Sequence, residues 1–135
     1  MVDFSHLPIG REGRSEIIVS DAHTAPRVGS GRVRVLATPV MINLMEAAAL
    51  DAVEALLPDG HQSLGIHLDV THNAATPVGM RVTAIARLVG VEGRRLKFEV
   101  EARDEKEPIG GGAHERVVVN VERFDERVKK KIGAA

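Results

Sequence analysis

The sequence of 135 residues contains no cysteine, tryptophan or tyrosine, and its aromatic side chains are Phe4, Phe98 and Phe124. Without cysteine the chain can have no disulfide framework, no thiolate metal site and no cysteine nucleophile. That composition is typical of reducing compartments, so we expect a cytoplasmic protein. Binding of unpaired bases relies on exposed rings, and the scarcity of aromatics therefore argues against it.

The sequence also lacks a large net charge and long apolar runs. The net charge is −1, from 18 basic and 19 acidic residues, so no general attraction to nucleic acid is expected. No apolar run approaches the roughly 20 residues that span a bilayer. The start of the sequence, MVDFSHLPIGREGRSE, does not resemble a signal peptide. We expect a small soluble protein with one domain, residues 1–135.

A long helix is predicted over residues 38–57, where the sequence reads TPVMINLMEAAALDAVEALL. Thr38 is a good N-cap and Pro39 suits the first helical position, while a proline and a glycine follow the run. Glu46 is the lone charge in the first three turns. A helix that is apolar almost all round should be enclosed by other structure.

Five segments indicate β-strands, mostly because apolar and polar residues alternate in them. They are residues 15–20, 64–72, 80–89, 95–103 and 113–122. Short connections predict that the last four strands form an antiparallel meander. The sheet must cover its apolar face, and the helix is the large apolar element available. We therefore predict an α+β hot-dog fold, in which the even-numbered residues of 64–72 and 96–102 face the helix.

Glu46 is the first candidate for chemistry. Its helical neighbours at three and four positions are Ile42, Asn43, Ala49 and Leu50, so we expect it to point into a largely apolar place. Burial of a carboxylate raises its pKa, which suits a general base. The alternative is a glutamate at a helix edge with its carboxylate in water.

Four further residues each have a functional and a structural interpretation. His72 ends a row of inward residues and could act on a reacting group, or could bind a loop carbonyl. Thr38 could hold an oxyanion or act as a nucleophile, or could cap the helix. Gly65 could mark close approach of a ligand, or a bulge. Arg116, on the opposite parity from most valines of its strand, is either an exposed charge or an anion contact.

Several linked motifs are similar to those of the fluoroacetyl-CoA thioesterase group of hot-dog enzymes. They are TPVMINLME at 38–46, SLGIHLDVTHNAATP at 63–77, VEGRRL at 91–96 and HER at 114–116. The resemblance runs from about residue 14 to 131. It implies hydrolysis of an acyl-CoA thioester to free acid and CoA. It also implies a homodimer whose sheets join edge to edge, with active sites near the interface.

The same resemblance implies roles for particular residues. Thr38, Glu46 and His72 match the catalytic threonine, glutamate and histidine, and Gly65 and Arg116 match positions that contact substrate. Glu46 would be a base for water or a nucleophile, and no metal or other cofactor is implied. Phenylalanines that precede the catalytic threonine in the fluoroacetyl-specific enzyme are missing here.

Two alternatives keep the fold but change the activity. One is an acyl-CoA hydratase or dehydratase, and the other is a non-catalytic acyl-CoA-binding module. The acyl group is left open by the sequence, as is the choice between CoA and an acyl-carrier protein as the carrier.

Overall fold

The computed structural model describes residues 3–133 and confirms an α+β fold with a five-stranded antiparallel sheet and one long helix. The strands are β1 (Glu12–Ile18), β2 (His61–His72), β3 (Arg81–Glu92), β4 (Arg95–Asp104) and β5 (Pro108–Asn120). The helices are α1 (Ala25–Val28), α2 (Thr38–Val53) and α3 (Val121–Lys131). A 3-10 turn, Glu54–Leu56, extends α2 almost to its predicted end. No helix within residues 3–133 is long and apolar enough to cross a membrane.

The strand order is β1-β3-β4-β5-β2. The predicted four-stranded meander is therefore wrong, and it holds only for β3, β4 and β5. β1 and β4 occupy the two edges of β3, so β2 pairs with the free edge of β5 instead. Residues 73–80 connect β2 at one edge of the sheet to β3. A hydrogen bond from the Leu36 amide to the Thr76 carbonyl, at 2.9 Å, holds this connection in place. A short connection permits neighbouring strands to pair but does not require it.

The core lies between α2 and the inner face of the sheet. The helix buries Met41, Leu44, Met45, Ala48, Ala49, Ala52 and Val53. The even-numbered residues of β4 that were predicted to face the helix are buried, as are those of β3, namely Val82, Ala84, Ala86, Leu88, Leu96, Phe98, Val100 and Ala102. Small helical residues let β1 come very close. A Cβ at Gly13 would overlap the α2 backbone at Ala48 and Ala52.

A β-bulge divides β2 at Gly65–His67. The extra residue reverses the alternation. Ser63 is buried before the bulge, whereas Leu64 and Ile66 are 38% and 47% exposed. The prediction that all even-numbered residues of 64–72 face the helix is therefore wrong at Leu64 and Ile66. After the bulge the even-numbered residues are the less exposed ones, as predicted.

Candidate active site

Thr38 and His72 form one polar pair beside the start of α2. The Thr38 Oγ1 lies 2.6 Å from the His72 Nδ1. The structure places Ala37 at the N-cap and makes Thr38 the first helical residue. The capping interpretation of Thr38 is thus wrong, and its hydroxyl bonds to the imidazole instead.

The environment of His72 favours a neutral ring. Burial lowers the pKa of His72, and an interaction with the backbone of Ala74 opposes part of that effect. The Nε2 atom is buried and has no hydrogen-bond partner among residues 3–133. The ring and the Thr38 hydroxyl line a cavity of about 300 Å³ between segments 30–36 and 73–75. A neutral imidazole next to a hydroxyl can exchange a proton with a molecule bound in this cavity.

Glu46 and Arg116 form a second pair, further along α2. The Glu46 Oε2 lies 3.3 Å from the Arg116 Nη1, and the side chains are 36% and 5% exposed. Two expectations are corrected here. Arg116 is buried rather than exposed, because the even-numbered residues His114, Arg116 and Val118 of β5 point inward. Glu46 is partly exposed and paired with a cation, so the expectation that it points into a largely apolar place is wrong.

Neighbouring side chains fix the guanidinium of Arg116. Its Nε donates to the Ser63 Oγ at 2.8 Å and its Nη2 to the Ser63 carbonyl at 3.1 Å. The Ser63 Oγ donates in turn to the Glu54 Oε1 at 2.7 Å. Satisfied networks of this kind hold a buried charge in one geometry. Arg116 is therefore a rigid support for the carboxylate of Glu46.

His114 completes this support. Its Nδ1 lies 2.9 Å from the His67 carbonyl, which can only accept, so Nδ1 carries the proton. Nε2 is then free to accept from the Arg116 Nη1 at 3.2 Å. Burial is the main reason that the pKa of His114 is lowered, and nearby Arg116 lowers it further. The neutral ring thus connects the bulge of β2 to Arg116.

Gly65 lies over the Glu46 carboxylate. A Cβ added at Gly65 would come within 2.6 Å of the Glu46 Oε2 and 3.2 Å of the His114 Cε1. Gly65 also begins the bulge. The bulge interpretation of Gly65 is therefore confirmed. The close approach seen here is to the Glu46 carboxylate, and contact of Gly65 with a ligand stays a prediction.

The two pairs do not meet within one chain. Thr38 and Glu46 are eight residues apart on α2, which is about 12 Å along the axis. Gly65 and His72 are seven residues apart on β2, which is roughly 23 Å of strand. Among the described residues no hydrogen bond joins the Thr38–His72 pair to the Glu46–Arg116 pair. One chain therefore presents two separate polar pairs.

Ser63, Glu54 and His114 are polar neighbours of the site that sequence reasoning missed. The signal for His114 was available, since His114 and Arg116 are two residues apart and must share a face of the strand. Ser63 and Glu54 had no comparable signal, because the bulge decides which way Ser63 points. No cluster of three or more His, Asp or Glu within residues 3–133 could hold a metal ion.

Comparison with known proteins now identifies the family. The family model for fluoroacetyl-CoA-specific thioesterases, named FlK, matches residues 19–122. The chain belongs to this family. It is 47% identical over 100 residues to the fluoroacetyl-CoA thioesterase of Streptantibioticus cattleyicolor, a match that covers 74% of this chain and 72% of that relative.

Solved structures agree with the family and with the hot-dog fold. A solved structure of the fluoroacetyl-CoA thioesterase FlK superposes with a TM-score of 0.88 at 37% identity, over 94% of this chain and 98% of that one. A thioesterase superfamily member from Thermus thermophilus gives 0.86 at 31% identity, over 98% and 100%. A hot-dog-like protein from Thermanaerovibrio acidaminovorans gives 0.90 at 28% identity, over 99% and 100%. The resemblance and the fold expected from the sequence are confirmed.

Proposed function

We propose that the protein is a thioester hydrolase that converts a short-chain acyl-CoA to the free acid and CoA. Its family consists of thioesterases, and relatives of known structure act on acyl-CoA. The observation that carries the proposal is the carboxylate of Glu46, which is held by a buried arginine directly under a glycine. This arrangement leaves room for a planar carbonyl beside an anchored carboxylate.

In the proposed reaction, Glu46 either activates a water molecule as a general base or attacks the thioester carbonyl itself. As a base it removes a proton from water, whose oxygen adds to the thioester carbonyl. As a nucleophile it forms an anhydride that water then opens. The Gly65 N–H stabilises the oxyanion, and the hydroxyl of Thr38 positions the carbonyl. The carbon–sulfur bond breaks, and His72 assists the departing thiolate, which leaves as CoA.

Two copies of the chain are needed to assemble this site, and we place them edge to edge. Within residues 3–133, β2 pairs with β5 along one edge and with no strand along the other. Two β2 strands that pair antiparallel about a two-fold axis near Leu68 and Asp69 bring His72 of one copy beside Gly65 of the other. The Thr38–His72 pair of one subunit would then complete the Glu46–Arg116 pair of the second. The proposal includes one domain over residues 1–135 and a cytoplasmic location for this homodimer.

Release of free thiol from a panel of acyl-CoA thioesters tests the proposed activity. A thioesterase liberates CoA at catalytic rates. A hydratase or dehydratase would change the acyl group and leave the thioester intact, and a binding module would bind acyl-CoA without turnover. Absence of thiol release across short and medium acyl groups would contradict the proposal.

Mixing two inactive variants tests the shared site. Each of Glu46→Gln and His72→Ala should inactivate both sites of its own dimer. After subunit exchange at equal amounts, about a quarter of all sites should carry neither substitution, because half the dimers are mixed and each has one intact site. Activity should return to about a quarter of wild type. If each site lies within a single chain, mixing restores nothing.

A further inference from the structure

Glu54 is a partly buried carboxylate that has no part in the proposed reaction. It lies directly after α2, at the start of the 3-10 turn Glu54–Leu56. Its two oxygens accept hydrogen bonds from one residue of β2. Oε1 accepts from the Ser63 Oγ at 2.7 Å, and Oε2 accepts from the Ser63 backbone amide at 2.9 Å. Glu54 therefore fixes both the backbone and the side-chain rotation of this serine.

The contacts of the Ser63 hydroxyl leave one direction for its proton. A hydroxyl has a single O–H donor. The Arg116 Nε lies 2.8 Å from the Ser63 Oγ and can only donate, whereas the Glu54 carboxylate can only accept. The proton therefore points to Glu54, and a lone pair points to Arg116. Glu54 thus holds the serine in the one orientation that suits the guanidinium.

Arg116 transmits this orientation to Glu46. Apart from Glu46, three contacts hold the guanidinium within residues 3–133. Ser63 supplies two of them, through its hydroxyl and its carbonyl, and His114 supplies the third. Among the described residues, Arg116 is in turn the one hydrogen-bond partner of the Glu46 side chain. That side chain is 36% exposed, so a shift of the guanidinium becomes a shift of the carboxylate.

We infer that Glu54 is a positioning residue, which holds the carboxylate of Glu46 in its reactive place through Ser63 and Arg116. The inference rests on the proposed function, because it takes Glu46 as the reacting group. Glu54 follows Glu46 by eight residues, which is about 12 Å along a helix, so it acts on the reaction through the other side chains. A carboxylate is needed at this position because both groups that face it are donors. An amide of the same shape can accept from one of them only.

Glu54→Gln tests this series of contacts, because its amide nitrogen would face either the hydroxyl or the backbone amide of Ser63. The kcat for acetyl-CoA should fall about 10- to 100-fold, since a misplacement of about 1 Å costs on the order of 100-fold in rate. The KM should stay within about twofold of wild type, because the substrate loses no contact. Ser63→Ala should lower kcat to a similar extent. The double variant should be no worse than the more affected single variant, because both changes act through Arg116.

Asp51→Asn is the matched control. Asp51 lies near the same end of α2, and its Oδ2 accepts from the Arg14 amide of β1 at 2.9 Å. It therefore ties the helix to the opposite edge of the sheet, and the amide oxygen of asparagine can still accept this bond. Both kcat and KM should keep their wild-type values. An equal loss of kcat in Asp51→Asn and Glu54→Gln would overturn the inference, because any loosened contact at this end of the helix would then lower activity.

The Nε–H group of Arg116 provides a readout that does not need turnover. In NMR spectra of isotope-labelled protein, its proton should exchange slowly with water in wild type and in Asp51→Asn, and about tenfold faster in Glu54→Gln. If wild type releases no thiol but Glu54→Gln speeds this exchange, the proposed function fails and the hold of Glu54 on Arg116 stands. If wild type is active and both Glu54→Gln and Ser63→Ala keep its kcat, the inference alone is overturned. Failure of both variants to fold would also overturn it, since Glu54 would then support the fold rather than the site.

Discussion

Replacing Gly65 with alanine should remove most of the activity while leaving the protein folded. The new Cβ would lie 2.6 Å from the Glu46 Oε2 and 3.2 Å from the His114 Cε1. His114 is fully buried and hydrogen-bonded, whereas the Glu46 side chain is 36% exposed. The carboxylate of Glu46 is therefore the group that moves, and it moves away from Gly65, beside which the proposed reaction places the substrate carbonyl.

The expected losses of activity and of stability both follow from that displacement. Relieving the overlap requires a shift of the carboxylate by about 1 Å, and a misplacement of that size costs on the order of 100-fold in rate. The folding cost is that of one extra methyl group next to a side chain that can rotate, about 1–2 kcal/mol. For a domain of this size that lowers the Tm by roughly 3–8 °C. The substitution should thus separate activity from stability.

The assay is thiol release from acetyl-CoA, with a thermal melt of the same preparation. Gly90→Ala is the matched control, because among residues 3–133 its Cβ would come near the Lys97 side chain alone, at an ordinary 3.7 Å. It should keep full activity. A folded Gly65→Ala protein with activity within a few-fold of wild type would refute a reacting carboxylate at Glu46. Loss of folding would show instead that the carboxylate cannot move aside.

Four further outcomes are expected. Glu46→Gln should lose more than 100-fold in kcat/KM, with the Tm within a few degrees because the amide oxygen still accepts from Arg116; near-full turnover would contradict this. Gly13→Ala should lose about 3 kcal/mol or more in a denaturant melt, since the added Cβ overlaps backbone that cannot move. Burial lowers the pKa of His72, so the acid limb of the pH profile of kcat/KM should have its midpoint below the ordinary histidine pKa of about 6.5. The contribution of His72 to the free energy of unfolding should be present above about pH 6.5 and be lost as the pH falls, because the unfolded chain binds the proton first. The loop before α2 carries no aromatic ring, so kcat/KM for fluoroacetyl-CoA should lie within about 100-fold of that for acetyl-CoA, and a preference of many thousandfold would show that other residues form a selective pocket.

The predictable parts of the fold are the elements whose own sequence pattern specifies both their type and their buried face. β4 alternates without interruption, and its buried set from Leu96 to Ala102 matches the prediction. The helix was found from its composition and from Pro39 at its start, although the chain uses Ala37 rather than Thr38 as the cap. Apolar periodicity determines which face is buried, so these elements needed no tertiary information.

The parts that could not be predicted depend on how the strands are paired. β5 extends back to Pro108 through three consecutive glycines, which have low strand propensity and gave no signal. These glycines are needed because neighbouring backbone is close. A Cβ at Gly110 would overlap the Thr71 carbonyl oxygen of β2, and one at Gly112 would overlap the Asp69 carbonyl oxygen. Only the pairing with β2 reveals this crowding, and the pairing itself was predicted wrongly.

The bulge in β2 links the unpredicted register to the predicted site. Gly65 and His72 are separated by seven residues, and in a regular strand an odd separation places two residues on opposite faces. The resemblance nevertheless assigned both to one active site, and the two statements agree only if the strand contains one extra residue between them. The structure has that residue at Gly65–His67. His114 holds the bulge through the His67 carbonyl and also contacts Arg116. The irregularity that defeated the alternation pattern is thus the feature that lets β2 present Gly65 and His72 on the same face of the sheet.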